Sequence, residues 1–318
     1  MAKKNPKVTI VILNWNRKED TAQCLKSLRR ISTRGFQLSI IVVDNGSTDS
    51  SVEALGKITN IAFKLIENRT NLGFAEGNNI GIKFALEDAA DYVLILNDDT
   101  LADRDLIVQL IKSAEGGKRV GIITPKIYFA PGFEFHKDRY PKQVLGKVIW
   151  SAGGKIDWDN IYASNFGVDD VDRGQYDEEK ETDFATGACM FIKRKTLEEI
   201  GLFDPKYFAY MEDTDLSQRA KKAGWKIVYA PRAYLWHKVA QSSGIGSNLN
   251  DYFLTRNRML FGMRYASART KFALFRDSLK LLAMGRKWQK IGIRDFYLRR
   301  LGKGSWPTAL RTFGLEGK

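Results

Sequence analysis

The first half of the chain alternates between two hydrophobic rhythms. Short continuous apolar runs, "KVTIVIL", "LSIIVVD", "AFKLIEN" and "YVLILND", predict strands buried on both faces. Between them, "KEDTAQCLKSLRRI", "SVEALGKI" and "GFAEGNNIGIKFALEDA" space their apolar residues at helical intervals. Buried strands alternating with helices predict an α/β fold, a mostly parallel sheet flanked by helices. In such sheets ligands gather beyond the C-terminal strand ends. Asp44 closes one predicted strand, and Asn97, Asp98 and Asp99 close another. Two adjacent carboxylates repel each other, so Asp98 and Asp99 predict something positive beside them.

From about Pro131 to Thr182 the pattern dissolves into glycines, aromatics and the acidic run "DDVDRGQYDEEKETD". A connection that long in a compact domain is expected to be functional or disordered. "ATGACMFIKRKTLEEIG" then returns to strand and helix, and "DLSQRAKKAG" predicts a helix ending at Gly224. Beyond Ser247 the rhythm is helical: "DYFLTRNRMLFGMRYA", "TKFALFRDSLKLLAMGRKWQKIG" and "IRDFYLRRLG". The chain therefore divides into an α/β domain over 1–247, with halves meeting near residue 130, and a helical extension over 248–318.

Composition removes several classes. No apolar run is long enough to span a bilayer, and the one in "MAKKNPKVTIVILNWNRKED" is too short for a signal peptide. Cys24 and Cys189 give neither a disulfide framework nor a metal spacing, so a cytoplasmic location is expected. The net charge of +14 is concentrated: 16 of the 51 Lys+Arg but only 4 of the 37 Asp+Glu lie from Leu249 onward. That asymmetry points to a polyanion, either nucleic acid or an anionic membrane surface. No nucleic-acid-binding motif accompanies the charge, so nucleic acid is not expected. Phe272, Phe275, Leu279 and Leu282 recur at helical spacing among basic residues. Such a helix either packs on the body or lies on anionic lipid, peripheral to the inner face of the plasma membrane.

Seven motifs, in order, carry a resemblance: "VTIVILNWNR", "VVDNGSTD", "NLGFAEGNNIGI", "LILNDDT", "DFATGACMFIKR", "YMEDTDLSQRAKKAGW" and "LWHKVAQSSG". Together they resemble family 2 glycosyltransferases of the GT-A fold, and most nearly the bacterial rhamnosyltransferase-like group. "RNRMLFG" and "GIRDFYLRRLGKG" also look like that group's tail, so the likeness covers nearly the whole chain. It implies inverting transfer of a sugar, rhamnose from dTDP-rhamnose or a hexose from a UDP-sugar, onto a hydroxyl of a saccharide that can be lipid-linked. A non-catalytic nucleotide-sugar sensor is the competing class, and it would not need a base. The donor would bind in about 1–130 and the acceptor in about 131–247.

The same resemblance implies roles for single residues. The family's metal loop is of the Asp-any-Asp type; here Asn97 stands at the first position, which removes one charge. Asp99 would be a metal ligand and Asp98 would lie nearer the ribose. Read alone, either acid could instead cap a helix starting near Asp103. His237, after Trp236, would be the second ligand of a divalent cation, Mn2+ or Mg2+, with the imidazole favouring manganese; by itself a lone histidine is more often structural. Asp213 of "YMEDTDL" would be the base that takes the acceptor proton, with Glu212 binding acceptor or positioning the base. Alternatively these acids, Asp215 most readily, serve the start of a helix. Leu13, Asn14 and Trp15 would border the nucleotide, with Trp15 near the pyrimidine unless it packs in the core, and Asp44 would accept from the pyrimidine imide. Gly73 and Asn78 would admit the nucleotide at a helix start, and Gly187 and Ala188 would let the sugar approach the backbone. "NLGFAEGNN" is not a GxGxxG fingerprint, which argues against a nicotinamide enzyme.

Overall fold

A computed structural model describes residues 5–239 and 247–307; the end of the "LWHKVAQSSG" motif lies outside them. The first half folds as its rhythm predicts: β1 (Lys7–Asn14), α1 (Lys18–Leu28), β2 (Gln37–Asp44), α2 (Ser51–Gly56), β3 (Lys64–Glu67), α3 (Gly73–Glu87) and β4 (Tyr92–Asn97). There follow β5 (Thr100–Ala102), α4 (Leu106–Glu115) and β6 (Val120–Phe129). The irregular middle holds four short strands, β7 (Ile149–Ser151), β8 (Gly154–Asp157), β9 (Tyr162–Asn165) and β10 (Lys180–Glu181). The remainder is β11 (Cys189–Lys193), α5 (Arg194–Ile200), α6 (Glu212–Lys222), β12 (Lys226–His237), α7 (Asn248–Tyr265), α8 (Ala268–Met284) and α9 (Lys287–Tyr297).

The main sheet runs β3-β2-β1-β4-β11-β6-β12-β10, with β5 on β12 and β7 on β6. β3, β2, β1 and β4 are mutually parallel, as are β6 and β12, whereas β11 runs antiparallel between β4 and β6. Alternate residues of the central strands feed separate cores on the two faces, Ile10, Ile12 and Leu94 on one and Val11, Val93 and Ile95 on the other. This two-sided burial is why the strands read as unbroken apolar runs. In register, Asn14 lies beside Asp44 and Leu13 beside Asn97, so three strands end together at one sheet edge. β12 delivers His237 opposite Thr100 at that edge.

Two details differ from the sequence reading. The long helix expected over 270–292 breaks at Gly285, and α9 starts at Lys287. A Cβ on Gly285 would sit 2.5 Å from the Leu281 carbonyl, and Arg286 and Gln289 form the cap of the new helix. The helix expected near Asp103 starts at Leu106 with β5 intervening, so neither Asp98 nor Asp99 caps it.

The C-terminal helices are woven into the body. Met259, Leu260, Phe261, Leu274 and Ile293 share one core with Ile156, Ile161, Phe184, Tyr207 and Met211. Buried Asp215 accepts from Arg219, from Tyr207 and Tyr265, and from Arg264, which also pairs with Asp204. Asp215 is thus a structural anchor between α6 and α7.

Candidate active site

Two pairs of adjacent acids close β4 and open α6. The first closes β4. Asp98 and Asp99 are both buried, and a guanidinium and an imidazole lie beside Asp99. Arg17, just ahead of α1, donates from Nη1 to Asp99 Oδ2 at 2.8 Å and stands 3.9 Å from Asp98. His237 Nε2 lies 2.9 Å from Asp99 Oδ1. That contact has ion-pair distance without hydrogen-bond alignment: Asp99 Oδ1 and His237 Nδ1 are both buried without a hydrogen-bond partner. Burial alone would raise the Asp99 carboxyl, but the imidazole and the guanidinium outweigh it and hold the group well below the carboxylate range. Asp98, pushed up first by burial and then by Asp99, sits well above that range. The positive partner expected from sequence is therefore in part Arg17. Pattern reading missed it because the pairing joins loops 82 residues apart.

The second pair opens α6. Gly187 N donates to Asp213 Oδ2 at 2.9 Å, and Thr214 N donates to Oδ1 at 2.6 Å. Those donors favour the charged form, yet burial prevails and Asp213 is raised. Glu212 is raised well above its ordinary value, by burial and then by the adjacent Asp213, and its Oε2 has no partner. The N-cap Met211 makes no side-chain cap hydrogen bond, and α6 begins at Glu212 itself. The acids occupy its first turn, where the helix dipole favours negative charge.

A cavity of about 340 Å³ opens on the second pair and reaches the first only through His237, whose ring contacts Asp99. Asn97 and His237 line one side, Glu212, Asp213 and Thr214 the other, and Gly187 and Ala188 its floor. A Cβ on Gly187 would stand 2.9 Å from the Phe74 ring, which explains the glycine. The irregular middle contributes Trp150, Ala163 and Asn165, which sequence reading left without a role. The Trp150 ring meets the His237 ring edge-on at 4.6 Å, fixing the imidazole plane.

The remaining candidates lie outside this cavity, around the ends of β1 and β2. Asn14 and Asp44 are tied into one network: Asn14 Nδ2 donates to Asp44 Oδ2 at 2.6 Å, Asn14 Oδ1 accepts from Thr21, and Gly46 and Ser47 N–H groups donate to Asp44 Oδ1. Trp15 is 44 % exposed, so the core-packing alternative for it does not hold. Leu13 packs over Gly77, where a Cβ would be 2.6 Å away. Gly73 has φ +80° and lets the Phe208 ring approach. Asn78 donates to the Phe74 carbonyl and keeps a buried, unpartnered Oδ1.

A mixed α/β sheet with acids at the edge where parallel strands end is the architecture of GT-A glycosyltransferases. A mannosyltransferase from Pyrobaculum calidifontis, solved with GDP-Man and Mn2+, superposes with a TM-score of 0.55 at 16% identity, covering 96% of this chain and 77% of that one. GalNAc-T7, solved with UDP, GalNAc and Mn2+, superposes with a TM-score of 0.59 at 14% identity over 96% and 59% of the two chains. The chain belongs to glycosyltransferase like family 2, whose model matches residues 6–262, and it is a glycosyltransferase. It is similar to the N-acetylglucosaminyl-diphospho-decaprenol L-rhamnosyltransferase of Mycobacterium tuberculosis, 28% identical over 216 residues, 65% of this chain and 68% of that protein. The low-salt glycan biosynthesis hexosyltransferase Agl10 of Haloferax volcanii is 24% identical over 221 residues, 69% and 63% of the two. No helix among the described residues is long and apolar enough to cross a membrane.

Proposed function

We propose that this chain is an inverting, divalent-cation-dependent transferase moving L-rhamnose from dTDP-rhamnose onto a hydroxyl of a growing, lipid-linked cell-surface saccharide. One observation carries the reading: a single cavity is lined by the Glu212–Asp213 pair and by His237, whose ring lies against Asp99. Asp213 takes the acceptor proton as the acceptor oxygen bonds to the anomeric carbon. The bond from that carbon to the diphosphate breaks on the opposite face, and dTDP leaves. Glu212, raised well above its ordinary value by burial and then by Asp213, positions the acceptor beside the base. Gly187, which donates to Asp213, and Ala188 give the sugar a floor of small residues.

The residues fit a cation site of limited denticity. Among the described residues no group of three or more His, Cys, Asp and Glu could hold a metal. Asp99 Oδ1 is nevertheless buried without a hydrogen-bond partner, and His237 Nε2 stands 2.9 Å from it, so a carboxylate oxygen and an imidazole nitrogen converge there. Mg2+ in nucleotide sites takes one or two protein carboxylates and completes its shell with phosphate and water. The imidazole favours Mn2+. Bound there, the cation would neutralise charge on the diphosphate leaving group. Likeness to a rhamnosyltransferase supports the sugar, and that relative's named substrate supports a lipid-linked acceptor. The test is a donor-hydrolysis screen of dTDP-, UDP- and GDP-sugars with Mn2+ or Mg2+. Fastest turnover of dTDP-rhamnose, abolished by EDTA, is expected. Turnover of UDP-sugars alone would overturn the donor, and full rates in EDTA would overturn the cation.

A lipid-linked acceptor supports a location at an anionic membrane, the cytoplasmic face of the plasma membrane. α8 supports this, because it has two faces. Thr270, Leu274 and Ser278 are buried against the body. Phe272, Phe275, Leu279 and Leu282 are 68%, 44%, 49% and 37% exposed. Arg269, Lys271, Arg276 and Lys280 flank that exposed row, and each contributes about 1 kcal/mol near an anionic surface. The protein is expected to sediment with anionic vesicles and to retain part of that binding at high salt. Phe272→Ser with Phe275→Ser should remove the salt-resistant part; unchanged sedimentation would refute the role of α8.

A further inference from the structure

The segment that leads into Glu212 and Asp213 is strained and is held from outside. Phe208, Tyr210 and Met211 adopt φ of 64°, 68° and 70°, although none is glycine. Non-glycine residues stay in that region only where their surroundings over-determine it. Asn257, fully buried on α7, supplies the constraint. Its Nδ2 lies 2.9, 2.7 and 2.8 Å from the carbonyls of Tyr207, Ala209 and Tyr210. A side-chain amide has two N–H donors, so these three acceptors converge on one group that nothing longer or shorter reproduces. Arg256, also fully buried, donates to the Lys206 and Tyr207 carbonyls and to the Gly302 carbonyl. Its Nε donates to Asn257 Oδ1 at 3.0 Å and so fixes which way the amide faces. On the opposite side, the Phe208 carbonyl accepts from Ala75 N in α3. The strained turn is therefore clamped between the donor-side helix α3 and α7.

We infer that Asn257, oriented by Arg256, is a positioning residue for Asp213. It holds the Tyr207–Tyr210 carbonyls in place, and so sets where α6 begins and where the Asp213 carboxylate points. The inference rests on the reading of Asp213 as the base. Without the amide, Tyr210 and Met211 relax toward negative φ and the first turn of α6 rotates away from the cavity they line. A misplacement of about 1 Å costs on the order of 100-fold in rate.

The test measures transfer kinetics, dTDP affinity and melting temperature for Asn257→Ala, Asp213→Asn and Leu110→Ala. Leu110, on α4, is buried in the core and does not line the cavity, and its truncation controls for lost stability. Asn257→Ala is expected to lower kcat by about 10- to 100-fold with dTDP affinity unchanged. Leu110→Ala is expected to keep its kcat despite a lower melting temperature. Asn257→Ser, which retains one donor, should fall between Asn257→Ala and wild type, and it replaces Asn257→Ala if that variant does not fold. Wild-type kcat in the Asn257 variants beside an inactive Asp213→Asn would overturn the proposal alone. An equal kcat loss in Leu110→Ala would also overturn it. Wild-type turnover by Asp213→Asn would overturn the base and the proposal with it.

Discussion

Asp98–Asp99 and Glu212–Asp213 are each a pair of neighbouring acids at the rim of the same region, yet their surroundings oppose each other. Asp99 has Arg17 at 2.8 Å and His237 at 2.9 Å, and it is held ionised well below the carboxylate range. No salt bridge among the described residues reaches Glu212 or Asp213, and both are raised. A carboxylate locked in its charged form suits a permanent positive partner; one lifted toward neutrality suits taking up a proton. Adjacent acids thus acquire different electrostatics from what surrounds them, and the proposed roles follow that difference.

Removing the proposed base should have the largest effect. Asp213→Asn keeps the shape and the acceptor atom for Gly187 N but cannot take the proton, so transfer is expected to fall by about 100- to 10,000-fold. Steady-state kinetics with an acceptor disaccharide checks this, and a loss under tenfold would remove Asp213 from that role. His237→Ala comes next. It deletes one side of the Asp99 pair, and Mn2+-dependent affinity for dTDP should weaken by about tenfold, about 1.4 kcal/mol. Calorimetry with and without Mn2+ distinguishes that from a structural histidine, whose loss would weaken both equally.

The two pairs also predict opposite responses to acid. Asp213 has its folded pKa raised above 3.8, so the base fills with protons earlier than an ordinary aspartate as pH falls. kcat should decline on an acidic limb lying above that value. Asp99, held low, contributes stability that is present above its unfolded pKa and is lost only as pH falls through the depressed folded value. Over the limb where kcat falls, the Asp99 pair should therefore remain intact, which pH-jump reversibility of kcat would verify. The smallest effect belongs to Arg17→Gln. It leaves Asp98 and Asp99 less compensated, so the melting temperature should drop by a few degrees in EDTA and recover with Mn2+. Equal losses in both buffers would mean that Arg17 and the cation do not share a site.

Much of the fold was legible because two-sided burial writes itself as continuous apolar strands, and helices between them as 3.6-residue spacing. Antiparallel β11 was not, since "ACMFIK" looks the same in either direction. The break at Gly285 was missed because apolar periodicity continues through Trp288 and Ile291 into α9, and only the cap geometry of Arg286 and Gln289 ends α8. In the site, Asp98, Asp99, Glu212 and Asp213 announced themselves as pairs of like charges at element ends. Arg17 and Asn257 did not, because each acts on residues far away in sequence through contacts that no local pattern encodes. Asp44 and Asn14 were visible as polar strand ends, but their mutual hydrogen bond needed the register of β1 against β2.

The central claim, that one acid pair serves the cation and the other the proton, is tested most directly by electron paramagnetic resonance titration of Mn2+ with dTDP. Wild type, Asp99→Ala and Asp213→Asn would be compared at neutral pH. The account predicts that Asp213→Asn binds Mn2+ as wild type does while Asp99→Ala loses the bound signal. Equal binding by Asp99→Ala and wild type, or equal loss in both variants, would contradict it.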